Sequence, residues 1–586
     1  MDVTEAKSPL SPIARLRVGI QQLRQNETHR ALALSLLIGA LVGLVTVAFI
    51  LLTGRLAARM YPAGDSGWRR ILVPSAGSLL TGYLLWRFFP FARGSGIPQT
   101  KFALFINDGR IAFRTVFGKF FCCSASLASG IALGREGPSV QIGAGLASVI
   151  ARNAGLSTEQ VKALVPVGCS AALAAAFNTP IAAVLFSLEE IMGDLHASVL
   201  GTAVLSSATS WMVLHLVLGD DPLFHVSGYR LVHPVEFLVY AVLGLVGGLG
   251  SVAFVKLLLG LRQRFMRLPR WSVWCQPVAG GLTVGILGYF FPDVMGVGYA
   301  FVDKILNGDV VLKLVMLLAV LKIVATAICY ASGNAGGIFG PSLFIGATLG
   351  AAVGSIAHTL FPAYTAGPGA YALVGMGTAF AGIVRTPLTS VIMIFEVTRD
   401  YAIIVPLMIS NLIAYFISFM LQREPIYEAL ARQDGVHLPT AATRAKAGTM
   451  QVSQAMRPSP IALSIDMEIE TALTALHQNG VLDAWPVTDK QGLRGMIRKA
   501  EMEGMIAGGS ASKTLGEMFR EPSNLPHVHL DHTLGLALER MGSNHLHVLP
   551  VVSRANVRQL LGVVVLDDIL AAYGIAATSK AWEQDR

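Results

Sequence analysis

Charge is scarce in this sequence. Only 14% of its 586 residues are Asp, Glu, Lys or Arg, whereas 53% are hydrophobic. A water-soluble protein carries roughly 25% charged residues, so much of this chain has to face something other than water. Cysteine is scarce too: Cys122, Cys123, Cys169, Cys275 and Cys329 lie in or beside apolar stretches and show no CxxC spacing. That argues against a zinc site or a disulfide framework and leaves small packing residues. No HExxH sequence occurs, and the apolar region offers no nucleophile paired with a base. Neither an enzyme, nor a catalytic residue, nor a bound metal is therefore expected. Runs of Lys and Arg interleaved with aromatics are also missing. The formal net charge of +9 thus does not point to nucleic acid; the basic residues gather at segment ends and in the tail, as membrane topology requires.

What the sequence has in abundance is apolar residues, with a mean hydropathy of +0.59. Its 60 glycines also suit membrane helices, where small residues let backbones approach closely. Apolar segments fill residues 31–430. Ala31–Thr53, Ile71–Phe89, Val199–Leu218, Val235–Leu259 and Val310–Ala331 are clear examples, close to the roughly 20 residues a spanning helix needs. The first of them is too long for a signal-peptide core and no A-x-A site follows it, so it is expected to stay in the protein. Others, such as Ser139–Ile150 and Pro387–Thr398, are short and bounded by Gly and Pro. Interrupted helices are tolerated inside a bilayer only where they pack in protein or line a cavity, which predicts a transporter or channel. After Tyr427 the charges return, and Ala429–Arg586 holds no apolar run long enough to span; this is a soluble region.

An internal repeat organises the apolar part. Lys119–Leu146 (KFFCCSASLASGIALGREGPSVQIGAGL) matches Lys322–Leu349 (KIVATAICYASGNAGGIFGPSLFIGATL) without a gap. A second match follows in the same order, pairing Thr179-Pro180 with Thr386-Pro387 and Glu189 with Glu396. Repeats of this kind build transporters around a site at mid-membrane. The first half follows Arg15, Arg17, Arg24 and Arg30, whereas the second follows the acidic Gly219-Asp220-Asp221 loop and its first helix ends in Arg262, Arg264, Arg267 and Arg270. Opposite charge at matching ends predicts halves inverted in the membrane.

Four segments combine Gly, Pro or a polar residue within this apolar frame: Gly94-Ser95-Gly96-Ile97-Pro98, Gly134-Arg135-Glu136-Gly137-Pro138, Gly337-Ile338-Phe339-Gly340-Pro341 and Pro425-Ile426-Tyr427. Proline fits the first turn of a helix, where its missing N–H costs nothing. The glycines before it leave backbone N–H groups pointing at a ligand, and the helix N-terminus adds partial positive charge. Four such starts predict an anion path, with hydroxyl donors from Ser95 and Tyr427. Helix kinks for packing are the plainer reading of any one of them.

These motifs, in this order, resemble the signature elements of the CLC family of chloride channels and chloride/proton antiporters over residues 30–435. The resemblance implies an all-α polytopic membrane fold, a CLC-type inverted repeat with broken and re-entrant helices, working as a homodimer with one pore per subunit. It implies that Ser95, Tyr427 and the N–H groups of Ile338 and Phe339 hold the central anion, with Arg135 and Gly137 beside it. Glu136 falls at the family's gating glutamate. Independently, an ionisable residue inside an apolar segment is costly and usually functional, and its carboxylate is itself an anion suited to a helix N-terminus; the plainer reading is an ion pair with Arg135. Glu190, second of the Glu-Glu pair after Asn178-Thr179-Pro180, stands where the family's antiporters carry a proton-transfer acid and many of its channels an apolar residue. Glu189 fits a helix-end role better, because its repeat partner Glu396 is also acidic while that of Glu190 is Val397. The repeat-related Lys119 and Lys322 either raise the local potential for anions or bind a carboxylate or carbonyl. Gln99 and Lys101 stand where some bacterial relatives have acids, which bears on proton supply or packing. Ser95 matches chloride-preferring members; fluoride-type relatives have differently built motifs.

In the tail, Val452–Ile506 and Leu515–Gly574 look like two CBS domains, giving the fold an α/β appendage. Leu534–Met541 reads as an amphipathic helix, His547–Val552 as an alternating strand and Leu560–Leu566 as a buried strand. Asp568 falls where a ribose-binding acid often sits, but Val565 replaces the usual hydroxyl, and Arg498 and Glu501 replace the corresponding pair in the first domain. An adenine nucleotide and a ligand-free dimerising tail both remain open. The expected organisation is an N-terminal segment 1–30, a membrane domain 31–430 with halves 31–218 and 235–421, a linker 431–451, CBS domains 452–510 and 511–576, and a tail 577–586. The expected activity is chloride/proton antiport in a lipid bilayer, a bacterial inner membrane, with N-terminus and tail cytoplasmic. A passive voltage- or pH-gated chloride channel is the first alternative, and a membrane sensor acting through its tail the next.

Overall fold

The structure is a computed structural model. It describes residues 27–436 and 450–572, apart from breaks at 63–65, 196–197, 221–222, 225, 227–230, 309, 459–461, 480–481, 483, 508–512, 519–524 and 545. Arg15, Arg17, Arg24 and Asp221, most of the 431–451 linker and the residues from 573 onward lie outside the described residues. The chain divides into two units, Met1–Leu438 and Pro439–Arg586.

The first unit is helical throughout. Its α-helices are α1 (Glu27–Met60), α2 (Trp68–Arg87), α3 (Ile97–Phe105), α4 (Phe113–Ala128), α5 (Glu136–Asn153), α6 (Thr158–Phe177), α7 (Pro180–Phe186), α8 (Leu200–Leu218), α9 (Glu236–Met266), α10 (Pro277–Phe290), α11 (Tyr299–Leu306), α12 (Leu312–Ala331), α13 (Phe339–Leu360), α14 (Pro368–Val384), α15 (Pro387–Thr398), α16 (Ile404–Leu421) and α17 (Ile426–Gln433). Among the described residues, seven helices are long and apolar enough to cross a membrane. The segment Ser139–Ile150, short in the sequence pattern, lies inside the 18-residue α5: its first turn is built by Glu136, Gly137 and Pro138, which hydrophobicity alone does not reveal.

The two halves are joined at equivalent residues. Gly134 and Gly337, matched in the repeat, exchange both backbone hydrogen bonds at 2.7 Å in an antiparallel bridge. Mutual pairing of equivalent residues requires a local two-fold axis between the halves. The same symmetry recurs further out. Glu189 accepts from Leu388 N (3.3 Å) and Thr389 N (2.8 Å) at the start of α15, while Glu396 accepts from Ile181 N (2.9 Å) and Ala182 N (2.7 Å) at the start of α7. Each acid satisfies orphan N–H groups of the other half's helix, in the favourable direction of the helix dipole. At the matching outer ends the charges are opposite: Arg30 donates to Ala154 O, whereas Glu236 accepts from Ala366 N, from Val232 N at 2.9 Å and from the Tyr371 hydroxyl at 3.0 Å.

Close helix crossings fix this frame. A Cβ on Gly143 of α5 would stand 2.3 Å from Gly168 O of α6, and one on the repeat-related Gly346 of α13 would stand 2.2 Å from Gly375 O of α14. Only glycine lets these backbones touch.

The second unit holds two three-stranded sheets. Strands β1 (Met456–Pro458), β2 (Leu463–Ser464), β3 (Ala484–Asp489), β4 (Gly492–Arg498), β5 (Val548–Val552) and β6 (Leu560–Val565) form the orders β1-β6-β5 and β2-β3-β4. The segment at Val452–Pro458 therefore joins the sheet of the second CBS sequence and packs in its core with Val528, Leu534 and Val551. β5 was expected to alternate; instead all five of its residues are buried, because it is covered on both faces. Helix α20 (Leu534–Ser543), preceded by α18 (Ile469–Asn479) and α19 (Lys499–Ala507) and followed by α21 (Leu566–Ala572), starts on a Thr533 cap.

Replacing Gly143 by Val forces α5 and α6 apart and is expected to cost about 1–3 kcal/mol or more, read as a lost monodisperse peak and a lowered melting midpoint in detergent. Gly201→Ala, with open space at its Cβ, serves as the tolerated control.

Candidate functional site

The site is assembled where helices are interrupted. Gly94 and Gly96, at φ +84° and +105°, turn the backbone into the first residue of α3 and leave Ser95 fully buried between them. Its Oγ accepts from Ile97 N at 3.4 Å, and Tyr330 lies beside it. Gly137 of α5 packs so tightly on this loop that a Cβ there would stand 2.6 Å from Ser95 O. The start of α3 and the start of α5 are thereby locked together. Lys119 holds the same loop from behind, donating to Ala92 O (3.1 Å) and Gly94 O (2.5 Å). Its repeat mate Lys322 donates to Val294 O (2.9 Å) and Gly296 O (2.7 Å). Of the two roles open to these lysines, the structure gives them carbonyl binding.

Glu136 is fully buried at the start of α5. Its Oε2 accepts from Gly340 N, in the first turn of α13, at 3.3 Å. Its Oε1 accepts from the Tyr299 hydroxyl. Arg135 Nε is 4.0 Å from Oε1, too far for a hydrogen bond; the Arg135 guanidinium lies over the Tyr299 ring at 5.7 Å and reaches Ala176 O at 3.4 Å. The carboxylate thus rests on a helix N-terminus, where partial positive charge favours an anion, and its main partners are neutral donors. Phe339, at the matched position, is buried against Phe380 and Phe177, with ring centroids 4.2 and 4.6 Å away. The N–H groups of Ile338 and Phe339 precede the hydrogen-bonded part of α13, so they are free to face a ligand.

Tyr427 is fully buried on α17, and its hydroxyl has no hydrogen-bond partner among the described residues. Leaving such a group unsatisfied costs about 1–3 kcal/mol. Tyr427 lies within electrostatic reach of both Glu136 and Glu190. Glu190 sits on a π-helical turn, Ser187–Met192, that prolongs α7; such turns often accompany functional sites. Its Oε1 accepts from Lys101 Nζ at 2.8 Å. Beside Ser95 a cavity of about 490 Å³ is lined by Arg93, Gly94, Pro98, Gln99, Arg262 and Tyr330, among others. Its charged lining is Arg93, Arg262, Arg270 and Asp434, the last paired with Arg262.

Two partners escaped the sequence reading. Tyr299 follows Gly296-Val297-Gly298, whose glycines have φ +59° and +88°. This repeats Gly94-Ser95-Gly96, and that spacing was the available signal. Lys101 lies next to a motif, but nothing in the linear sequence places it against Glu190.

In the second unit both oxygens of Asp568 are taken. Arg457 Nε and Nη2 donate to them at 2.6 and 2.9 Å, and these hydrogen bonds hold the Arg457 guanidinium above its usual pKa. Arg498 likewise pairs with Glu501 at 3.4 Å.

Broken helices meeting around a buried carboxylate, in two symmetry-related halves, define an integral membrane protein of the inverted-repeat class. Residues 77–419 match the family model described as voltage gated chloride channel, and residues 452–502 and 518–574 match that of the CBS domain. The chain belongs to the CLC family, with a CBS pair appended. It is 33% identical over 448 residues to the H(+)/Cl(-) exchange transporter ClcA of Salmonella arizonae, covering 72% of this chain and 94% of that protein. To the H(+)/Cl(-) exchange transporter ClcA of Vibrio campbellii it is 31% identical over 366 residues, covering 61% and 78%. Among solved structures, a slow cyanobacterial Cl-/H+ antiporter matches with a TM-score of 0.64 and 27% identity, over 69% of this chain and 98% of that one. A eukaryotic CLC transporter matches with a TM-score of 0.66 over 92% and 98%; at 23% identity it bears on the fold alone.

Tyr299→Phe leaves Glu136 with the Gly340 N–H as its remaining hydrogen-bond donor among the described residues. A hydrogen bond to a charged group is worth about 1.5–3 kcal/mol, so the side chain is expected to occupy more than one rotamer in a density map of the variant. A single, unmoved conformer would show that the helix terminus alone holds it.

Proposed function

We propose that the chain exchanges chloride for protons across the membrane, with Glu136 as the gate and Glu190 as the internal proton-transfer acid. The observation that carries this reading is the Glu136 carboxylate seated on Gly340 N–H at the start of α13. An ionised Glu136 occupies ground suited to a halide. Protonation removes its charge and with it most of its attraction to the helix terminus, so the side chain leaves and chloride enters. When the proton departs, the carboxylate returns and displaces the anion. The Ser95 hydroxyl, the unpartnered Tyr427 hydroxyl and the N–H groups of Ile338 and Phe339 supply neutral donors for chloride. They bind it without a full cation, weakly enough to let it go. Arg135 and Gly137 hold the path in shape.

Antiport is favoured over a passive channel by Glu190, a buried acid held by Lys101 on the helix that follows the Ser95 loop. The exchange-transporter relatives at 31% and 33% identity support the same choice. Protons enter at Glu190 from the cytoplasmic side and pass to Glu136 along a chain of water. The protein works as a homodimer in the bacterial inner membrane, with its termini cytoplasmic. The tail is read as a dimerising module, since a nucleotide at Asp568 would have to displace Arg457.

The deciding experiment is paired flux measurement in liposomes. A chloride gradient should drive protons uphill, and absence of that movement would leave the channel reading. With Glu136→Ala, chloride flux persists while proton movement falls to the leak of protein-free liposomes; retained coupling would overturn the assigned gate. Tyr427→Phe should weaken chloride binding in calorimetric titration by about 1.4 kcal/mol, roughly tenfold.

A further inference from the structure

Lys101 is buried with 6% exposure on α3, the helix that begins at the Ser95 loop. Its ammonium lies 2.8 Å from Glu190 Oε1 and 3.9 Å from Glu428 Oε1. Glu428 is the residue after Tyr427, in the first turn of α17. One cation therefore stands where the three elements bearing Ser95, Glu190 and Tyr427 meet. Among the described residues it is the one cation paired with Glu190; the remaining charged neighbours are Glu428 and Glu189, and Glu428 also feels the more distant Arg385, which is hydrogen-bonded to Ser418 and Gln422 O. Glu189 is already committed to the N-terminus of α15 through Leu388 N and Thr389.

Stability does not explain this arrangement. Burying an ion pair costs desolvation that its Coulomb attraction often fails to recover, and apolar residues of similar size frequently serve as well. What the cluster does provide is a charge count that changes with one proton. With Glu190 ionised, one ammonium faces two carboxylates. Once Glu190 is protonated, its pull on Lys101 collapses and Glu428 becomes the single charged partner, a short side-chain movement away.

We propose that Lys101 is a positioning residue that ties proton occupancy of Glu190 to the spacing between α3, which follows the Ser95 loop, and α17, which bears Tyr427. This rests on the reading of Glu190 as the internal acid. A proton arriving at Glu190 releases Lys101 towards Glu428 and draws the start of α17, with Tyr427, towards α3. Loss of the proton restores the Glu190 bond and frees α17. The anion position formed by Ser95 and Tyr427 is thereby informed of the proton on Glu190, without contact between the two ions.

The test compares Lys101→Met, Lys101→Arg, Glu428→Gln and Glu190→Gln in liposomes, with chloride and proton flux measured against internal pH. Removing the cation beside Glu190 should move the pH profile of proton flux to the alkaline side by about one unit and raise the number of chlorides moved per proton. Glu428→Gln removes an anion and should move the profile the opposite way, while Lys101→Arg keeps the wild-type profile. Should Lys101→Met fail to fold, the acid shift of Glu428→Gln decides. A wild-type profile and ratio in Lys101→Met, or a lowered melting midpoint with an unchanged profile, would reduce Lys101 to packing. Unshifted Glu428→Gln would count equally against the proposal. If Glu190→Gln still moves protons uphill, the assignment of Glu190 itself falls. If Glu190→Gln is uncoupled but Lys101→Met matches wild type, only the role of Lys101 falls.

Discussion

The paired hydrogen bonds between Gly134 and Gly337 set the geometry on which the rest of the membrane unit depends. They lie in two interruptions between helices that would otherwise expose four backbone groups within an apolar interior, where unsatisfied amides are expensive. Because the residues are equivalent in the repeat, satisfying them against each other also brings the first turns of α5 and α13 together. Glu136, two residues beyond Gly134, thereby arrives at Gly340, three residues beyond Gly337. The meeting of an acid with a helix terminus is thus a geometric result of how two breaks repair one another.

Symmetry supplies the frame, and departures from it supply the chemistry. Both halves use a lysine to hold a glycine loop, a glutamate to close a helix in the opposite half, and glycine pairs to cross helices closely. At the outer ends the halves differ in the sign of a charge, Arg30 against Glu236; around the centre a titratable group on one side meets an apolar one on the other. Phe339 fills the place opposite Glu136 with aromatic packing. Tyr299 occupies in the second half the position held by Ile97 in the first, immediately after the glycine loop, and its hydroxyl reaches across to the first half's acid. The site is consequently built from both halves although its acids come from one.

Much of this was legible in the sequence because broken membrane helices leave strong local marks. Gly-Pro starts predicted where α3, α5 and α13 begin, and the ungapped repeat matches Gly134 with Gly337, although the match alone does not say that the two touch. The helix-end role of Glu189 followed from its acidic partner Glu396. What remained hidden depends on distance in three dimensions. Lys101 reads as a departure next to a motif, and its partner Glu190 is 89 residues away. Tyr299 was missed because Gly-Val-Gly does not stand out in a glycine-rich chain. In the tail, β5 misled the alternation pattern because it is buried on both faces, and the Arg457–Asp568 pair joins residues 111 apart.

The reciprocal closures by Glu189 and Glu396 also bear on how the protein is made. The start of α7 emerges from the ribosome long before Glu396 is synthesised, and the start of α15 finds its acid already waiting in the first half. Until residue 396 is made, the first turn of α7 lacks the carboxylate that accepts from Ile181 N and Ala182 N. The two halves therefore complete each other's helix starts only once both have been synthesised.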